Sequence, residues 1–318
     1  MNTPDLKALA MRTRQGREAG VALVLASVVL ALFLFVPIVP SRSTSNTASA
    51  VTVATSTDDG AFSAVPLQAK AAIVYDVATG ETLYAKNASA QLPLASLTKL
   101  LTMYAAFSLF PPSTPITIPA DVAGLSAPHA FMPGETFALS DLARLTLTGS
   151  LNDGAAAIAE AAAADESRTV TGLMASVASS LDLSQTYAVN GNGLDVSTAL
   201  AGAYGSARDI AVLAGALAKS EPGIMAATTE PSATAVSSTG RVVTVKNTDP
   251  MTGTFQNLLL SKTGYTDLAG GNLAIVFDAG IGHPVAVVVL GSTEKARFTD
   301  AEALVAATLA HFAGVSSL

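Results

Sequence analysis

Ser96 and Lys99 stand three residues apart in "LPLASLTKLL" (92–101), a run that is otherwise apolar or small. On a helix, residues i and i+3 share a face, so this hydroxyl and ammonium can meet. A serine is a weak nucleophile until an adjacent base takes its proton. A lysine can be that base when burial and a second cation lower its pKa. The spacing alone is not distinctive, because Ser292 and Lys295 share it in a polar turn. The apolar surroundings of Ser96 favour chemistry; a chance pairing on a helix is the other reading. In "TGSLNDGAAAIAE" (148–160), Ser150 and Asn152 fall between two predicted helices. The hydroxyl could relay a proton and the amide could grip a peptide group, yet both residue types are also common helix caps. In "LLLSKTGYTD" (258–267), Lys262 interrupts a β-run and precedes Thr263 and Gly264. A strand glycine admits another backbone closely, and a lysine beside it could anchor an anion. A lysine that protects a sheet edge is the alternative.

These residues need elements to bring them together. Apolar residues at helical spacing (Leu97, Leu100, Leu101, Tyr104) predict a helix from Ala95 to Phe110, stopped by Pro111-Pro112. "AAIVYDVATGETLYAKN" (71–87) reads as two strands around a turn at Ala78-Thr79-Gly80, and "ITIP" (116–119) as a short strand. Further helices are expected from a Ser140 cap to about Leu147, over 153–164 capped by Asn152 or a neighbour, over 168–181, and over 206–219 capped by Ser206. The C-terminal third changes character: "RVVTV", "LLLSKTGYT", "NLAIVFDAG" and "PVAVVVLGS" are β-branched runs, and a helix from about Lys295 to Phe312 closes the chain. Strands at both ends with helices between imply an α+β fold. The strands would form one mainly antiparallel sheet flanked by helices, with a helical lobe over about 120–230. A cleft between two such lobes is a natural ligand site.

The chain has 318 residues, half of them hydrophobic and only 13% charged, which excludes a disordered chain. It has no cysteine, so thiol chemistry and disulfides are excluded. The net charge of −7 is uneven: residues 1–42 carry +3 and residues 43–318 carry −10. An acidic body argues against nucleic-acid binding. No His/Asp/Glu cluster has metal-ligand spacing. "VALVLASVVLALFLFVPIV" (21–39) is uncharged. As a helix it would span roughly 28 Å, about a bilayer core. Arginines precede it, which keeps residues 1–19 cytoplasmic. The segment 20–40 is therefore expected to be a transmembrane anchor; a cleaved signal segment, with Ala48-Ser49-Ala50 at the cleavage site, is the alternative. Both deliver the body outside the cytoplasm. Residues 41–66, rich in Ser, Thr and Ala, read as a flexible linker, and 67–318 as the catalytic domain.

Ser96-x-x-Lys99, Ser150-x-Asn152 and Lys262-Thr263-Gly264 occur in order, separated by 54 and 112 residues. Together they resemble the three motifs of the penicillin-recognising serine acyltransferases. The flanks "AAIVYDVATGETLYAKNASAQLPLASLTKLLT", "MPGETFALSDLARLTLTGSLNDGAAAIAE", "NGNGLD", "SARDIAVLAGAL" and "SKTGYTDLAGGNLAIVF" are similar to the low-molecular-mass D-alanyl-D-alanine carboxypeptidases. The resemblance covers about 67–312 and implies a β-lactamase/transpeptidase-like fold. It implies that Ser96 attacks the carbonyl between the last two D-alanines of a peptidoglycan stem peptide, that Lys99 takes its proton, and that Ser150 passes a proton to the departing amine. It gives Lys262 a charge role near both, Asn152 a bond to the substrate amide, and Thr263 with Lys262 a hold on the terminal carboxylate. Gly264 lies in the strand that would pair with substrate, and the backbone N–H groups of Ser96 and Tyr265 would form the oxyanion hole. β-Lactams would bind covalently. No metal or organic cofactor enters the scheme.

Some residues depart from the pattern. Relatives often carry Arg or Lys shortly after the asparagine matching Asn247; here Thr248-Asp249-Pro250 follow. Arg297, in "EKARF", matches a recurring family position and is the candidate replacement. A class A β-lactamase would need a Glu-x-x-Leu-Asn segment, which is absent. His129, His283 and His311 show no arrangement with a serine and an acid. D,D-endopeptidase action on cross-links would use the same residues as carboxypeptidase action. A silent wall-binding module would not need all three motifs intact.

Overall fold

The computed structural model describes residues 60–314, apart from positions 64 and 281. The expected anchor over 20–40 and most of the linker lie outside the described residues. Strands β1 (Ala71–Asp76) and β2 (Thr82–Lys86) form the expected hairpin. Its turn is held by Asp76, whose carboxylate accepts the Ala78 and Thr79 N–H groups at 2.8 and 3.0 Å. A two-residue strand β3 (Leu92–Pro93) leads into a 3₁₀ turn, Ala95–Leu97, and helix α1 (Thr98–Leu109). Strands β4 (Pro115–Thr117) and β5 (Thr136–Ala138) pair ahead of helices α2 (Leu139–Thr148), α3 (Asn152–Asp165) and α4 (Val170–Ser180). Short strands β6 (Tyr187–Ala188) and β7 (Ala203–Gly205) join β3 in a small sheet ordered β3-β7-β6. Helix α5 (Ala207–Ser220) and the short α6 (Pro222–Met225) precede a hairpin of β8 (Ser232–Val236) and β9 (Val242–Lys246). The chain then runs through β10 (Leu258–Thr266), β11 (Gly270–Asp278), β12 (Pro284–Ser292) and α7 (Ala296–Phe312).

The main sheet is antiparallel throughout, ordered β10-β11-β12-β1-β2. Its central strands are apolar at nearly every position because both faces are covered. Side chains alternate between faces along a strand. Ile73, Ala274, Val276, Ala286, Val288 and Leu290 enter the larger core, toward the helices. Their neighbours Ala72, Val74, Leu273, Ile275, Val285, Val287 and Val289 enter a second core under α7. Fully burying one such aliphatic side chain stabilises the fold by about 1.5–3 kcal/mol.

Three expectations need correction. Helix α5 falls within the expected 120–230 lobe but packs on β1, β11 and β12, so the lobe proper is α2, α3 and α4 against α1. Its buried stripe (Ile210, Leu213, Ala214, Leu217) is what the sheet requires. Ser140 does not cap α2. The helix begins one residue earlier, where the Leu139 and Ser140 N–H groups bond to the Thr114 and Pro112 carbonyls at 2.8 and 2.9 Å. The packed body begins before residue 67, since Ala61 and Phe62 are buried in the second core. Ser206 does cap α5, accepting the Asp209 N–H at 3.1 Å.

Candidate active site

Ser96 lies in the 3₁₀ turn before α1, not inside an α-helix as the sequence suggests. The cause is Ala95, whose φ of +49° turns the chain sharply after β3. A non-glycine residue held there costs about 1–3 kcal/mol, and such strain gathers at working sites. Ser150, between α2 and α3, also takes a left-handed φ, of +55°. Lys99 follows in the first turn of α1, and Asn152 is the first residue of α3. Lys262, Thr263, Gly264 and Tyr265 are consecutive on β10, an edge strand of the main sheet.

The fold brings these motifs together. Lys99 Nζ donates to Ser96 Oγ at 2.8 Å, to Asn152 Oδ1 at 2.8 Å and to the Asn192 carbonyl at 2.7 Å. Lys262 Nζ donates to Ser150 Oγ and to the Thr263 carbonyl, both at 2.8 Å. Each serine therefore has its own lysine. Lys99, Lys262 and Asn152 are almost completely buried, whereas Tyr265 is half exposed. The Thr263 hydroxyl meets Thr248 Oγ1 at 2.6 Å. Arg297, buried at the start of α7, donates to the Gly264 carbonyl at 2.8 Å and lies over the Phe298 ring. Its Nε has no hydrogen-bond partner among the described residues.

Two close backbone approaches fix the nucleophile. A Cβ on Gly264 would stand 3.0 Å from the Leu94 carbonyl oxygen and 3.3 Å from Ser96 N, so β10 passes directly over the Ser96 turn. A Cβ on Gly193, at φ +81°, would stand 1.9 Å from the Ala95 carbonyl oxygen. Gly193 belongs to the loop 190–195, which sequence reading matched to a family pattern without giving it a role. That loop supplies the Asn192 carbonyl to Lys99 and braces itself through Asn190, which accepts the Gly193 N–H and donates to the Leu194 carbonyl. It also reaches β10, where Thr266 Oγ1 donates to Asp195 at 3.1 Å. The signal available in sequence was Gly-Asn-Gly, a turn signature.

The Asn152 amide was expected to face substrate. Its Nδ2 instead donates to the Ser126 and Ala127 carbonyls at 3.0 and 3.2 Å, and its Oδ1 accepts from Lys99. Asn152 therefore ties the lysine to the 126–132 loop. The next residue, Asp153, holds the same loop by accepting the Ala130 and Phe131 N–H groups, each at 2.8 Å. Asn272 on β11 donates to the Pro93 carbonyl at 2.9 Å and so joins the sheet to the strand before Ser96.

Burial, and then the charge of Lys262, holds Lys99 well below the ordinary lysine range, against an upward pull from Asp153. Burial, and then Arg297, pushes Lys262 down to about 7, with Asp249 opposing. Burial also lowers Arg297. The site thus places beside one hydroxyl an amine shifted toward its base-competent form, and beside the other an amine poised between charged and neutral. No histidine is bonded to the serines or lysines of the site among the described residues. His283 meets Asp76 at 2.7 Å on the hairpin side, His311 packs on Phe62 and Phe312, and His129 is exposed.

An antiparallel sheet backed by a helix on each face, with a helical lobe closing a serine–lysine centre, is the α+β architecture of penicillin-binding and transpeptidase-like proteins. Penicillin-Binding Protein D2 from Listeria monocytogenes, in its ampicillin-bound form, superimposes with a TM-score of 0.66 at 28% identity, covering 77% of this chain and 99% of that one. The profile of the D-alanyl-D-alanine carboxypeptidase family, Peptidase_S11, matches residues 57–294, and the chain belongs to that family. D-alanyl-D-alanine carboxypeptidase DacC of Escherichia coli (strain K12) is 28% identical over 250 residues, covering 75% of this chain and 60% of its own length. D-alanyl-D-alanine carboxypeptidase DacF of Bacillus subtilis (strain 168) is 29% identical over 236 residues, covering 72% and 59%. The chain thus spans about 60% of the length of the curated relatives it matches.

Proposed function

We propose that this protein is a serine-type D-Ala-D-Ala carboxypeptidase that removes the terminal D-alanine of peptidoglycan stem peptides through an acyl-enzyme. The observation that carries the reading is the bond from the buried, downshifted Lys99 amine to Ser96 Oγ, repeated by Lys262 on Ser150. Ser96 Oγ adds to the carbonyl carbon between the two D-alanines while Lys99 takes its proton. The C–N bond then breaks, and the departing amine takes a proton relayed by Ser150. Water hydrolyses the ester and restores Ser96. Asn152 and the Asn192 carbonyl hold Lys99 in line. The Ser96 and Tyr265 N–H groups receive the developing oxyanion, where one donor is worth about 10²–10³ in rate. The contact of Gly264 with the Ser96 turn supports that pairing of N–H groups. An extended substrate would pair with the free edge of β10, its carboxylate near Thr263 and Lys262. Arg297 steadies the strand through Gly264 and adds positive charge.

β-Lactams, such as the ampicillin bound in the Listeria monocytogenes structure, would acylate Ser96 in the same way. A single-pass anchor over residues 20–40, with the body outside the cytoplasm, belongs to this reading. It is supported by the uncharged run 21–39 and the arginines before it.

Fluorescent penicillin should label the full chain covalently, and Ser96→Ala should abolish the label. Persistent labelling of that variant would remove Ser96 as nucleophile. Incubation with stem pentapeptide and, separately, with cross-linked dimer should release D-alanine from the first. Loss of dimer without release of the terminal D-alanine would replace carboxypeptidase by endopeptidase. Full-length protein should sediment with membranes, and removal of residues 1–40 should free it.

A further inference from the structure

One buried carboxylate stands beside the site's cations without touching any of them. Asp249 is 2% exposed. Its oxygens accept from Met251 N at 2.8 Å and from Ser261 Oγ at 2.5 Å, both neutral donors. Among the described residues it makes no ion pair. Burying a carboxylate on neutral donors alone is costly unless opposite charge lies within its field. Ser261 immediately precedes Lys262 on β10, and the loop bearing Asp249 grips that strand again through Thr248 and Thr263 at 2.6 Å.

We infer that Asp249 is a positioning residue that acts through charge: it is the internal counter-ion that keeps Lys262 cationic for an anionic ligand. The inference rests on the carboxypeptidase reading and deepens it. The charged and titratable groups around Lys262 are Arg297 of α7, Lys99 of α1 with Asp153 of α3 behind it, and Asp249 of the loop before β10; Glu294 and Tyr265 act on Arg297. Burial and Arg297 push the Lys262 ammonium toward neutrality, and Asp249 opposes them. Asp249 therefore has two effects of opposite sign. It holds a proton on Lys262 at higher pH, and it weakens the positive field that a carboxylate meets once Lys262 is charged.

The test is the rate at which benzylpenicillin acylates the full chain, followed from acid to alkaline pH in the wild type, Asp249→Asn, Asp249→Ala and Ser261→Ala. In either neutral variant the alkaline midpoint should move to lower pH by roughly one unit, a tenfold rate loss on that limb. On the acid side the same variants should acylate as fast as the wild type or faster. Ser261→Ala removes the bond but keeps the charge, and its midpoint should stay with the wild type. An unmoved midpoint in whichever neutral variant folds would overturn the inference, as would an equal movement in Ser261→Ala. A wild type that benzylpenicillin acylates at no pH would overturn the carboxypeptidase reading, and the inference with it.

Discussion

Lys99 and Lys262 occupy one dry cluster and are asked for opposite things. A general base must be neutral, and an anchor for a carboxylate must be charged. Rate should therefore fall on the acid side as Lys99 takes up a proton. It should fall on the alkaline side as Lys262 loses one, from about 7 upward in the free protein. A bound carboxylate favours the ammonium and moves that limb up. The pH dependence of kcat/KM for D-alanine release reports the limb of the free protein, and that of kcat the raised limb of the complex; a kcat/KM still climbing far into the alkaline range would exclude Lys262 as the anchor. Lys99→Met, similar in volume and uncharged, should lower acylation by about 10²–10⁴-fold. The serines and lysines were legible in sequence because side-chain motifs persist at recognisable spacings. Their pairing was not, since only the fold sets Lys262 against Ser150 and Asn152 against Lys99. Asn192 was invisible as a participant because it acts through its backbone carbonyl, which any residue carries.

The loop 190–195 and the β8–β9 hairpin are the elements that steady these residues. Gly193→Ala would force a methyl into the Ala95 carbonyl, at a backbone angle that disfavours side chains. It should destabilise by about 1–3 kcal/mol, and acylation should fall further than the lost fraction of folded protein explains. Penicillin labelling beside thermal melting separates the two effects. Across the site, Arg241 before β9 forms a two-pronged bond to Glu135 and also donates to the Ala130 carbonyl at 3.0 Å. This fastens the hairpin to the loop that holds Asn152. The Arg241 bond is the largest cause that holds the Glu135 carboxyl below its ordinary value. The stability it contributes is thus present above the unfolded carboxyl pKa and lost as pH falls through the lower folded value. Glu135→Gln should lose about 1.5–3 kcal/mol at neutral pH, and melting curves should converge with the wild type in acid. Strands β10 and β12 were legible to the residue as β-runs bounded by Gly, Asp and Pro. The strand β8 was not, because "SATAV" is short and alanine-rich, and its buried Ala233 and Ala235 carry little β signal. The α2 cap was misread because a loop's carbonyls did the work expected of Ser140.

At the scale of the molecule, the second core depends on residues that look like linker. Phe62 stacks on Tyr84 at 5.7 Å and lies 5.9 Å from His311, bridging β2 and α7. Phe62→Ala should cost about 3 kcal/mol, which lowers Tm by roughly 6–12 °C in a body of this size. A melting point within a degree or two of wild type would return the start of the body to residue 67. That boundary was hidden in sequence because one phenylalanine among Ser, Thr and Ala makes no pattern; its partners lie far along the chain.

The sheet closes over a long distance, with Ala71 of β1 opposite Leu290 of β12. Pairings so remote in sequence form slowly, since the intervening chain must first be brought to order. A chain made from its N-terminus holds Ser96 and Lys99 long before Lys262 has been synthesised. Until β10 docks, Lys99 lacks its neighbouring cation, Lys262, which is one of the causes that lower it. The order of synthesis therefore completes the constellation around Ser96 only when β10 and the strands that hold it arrive.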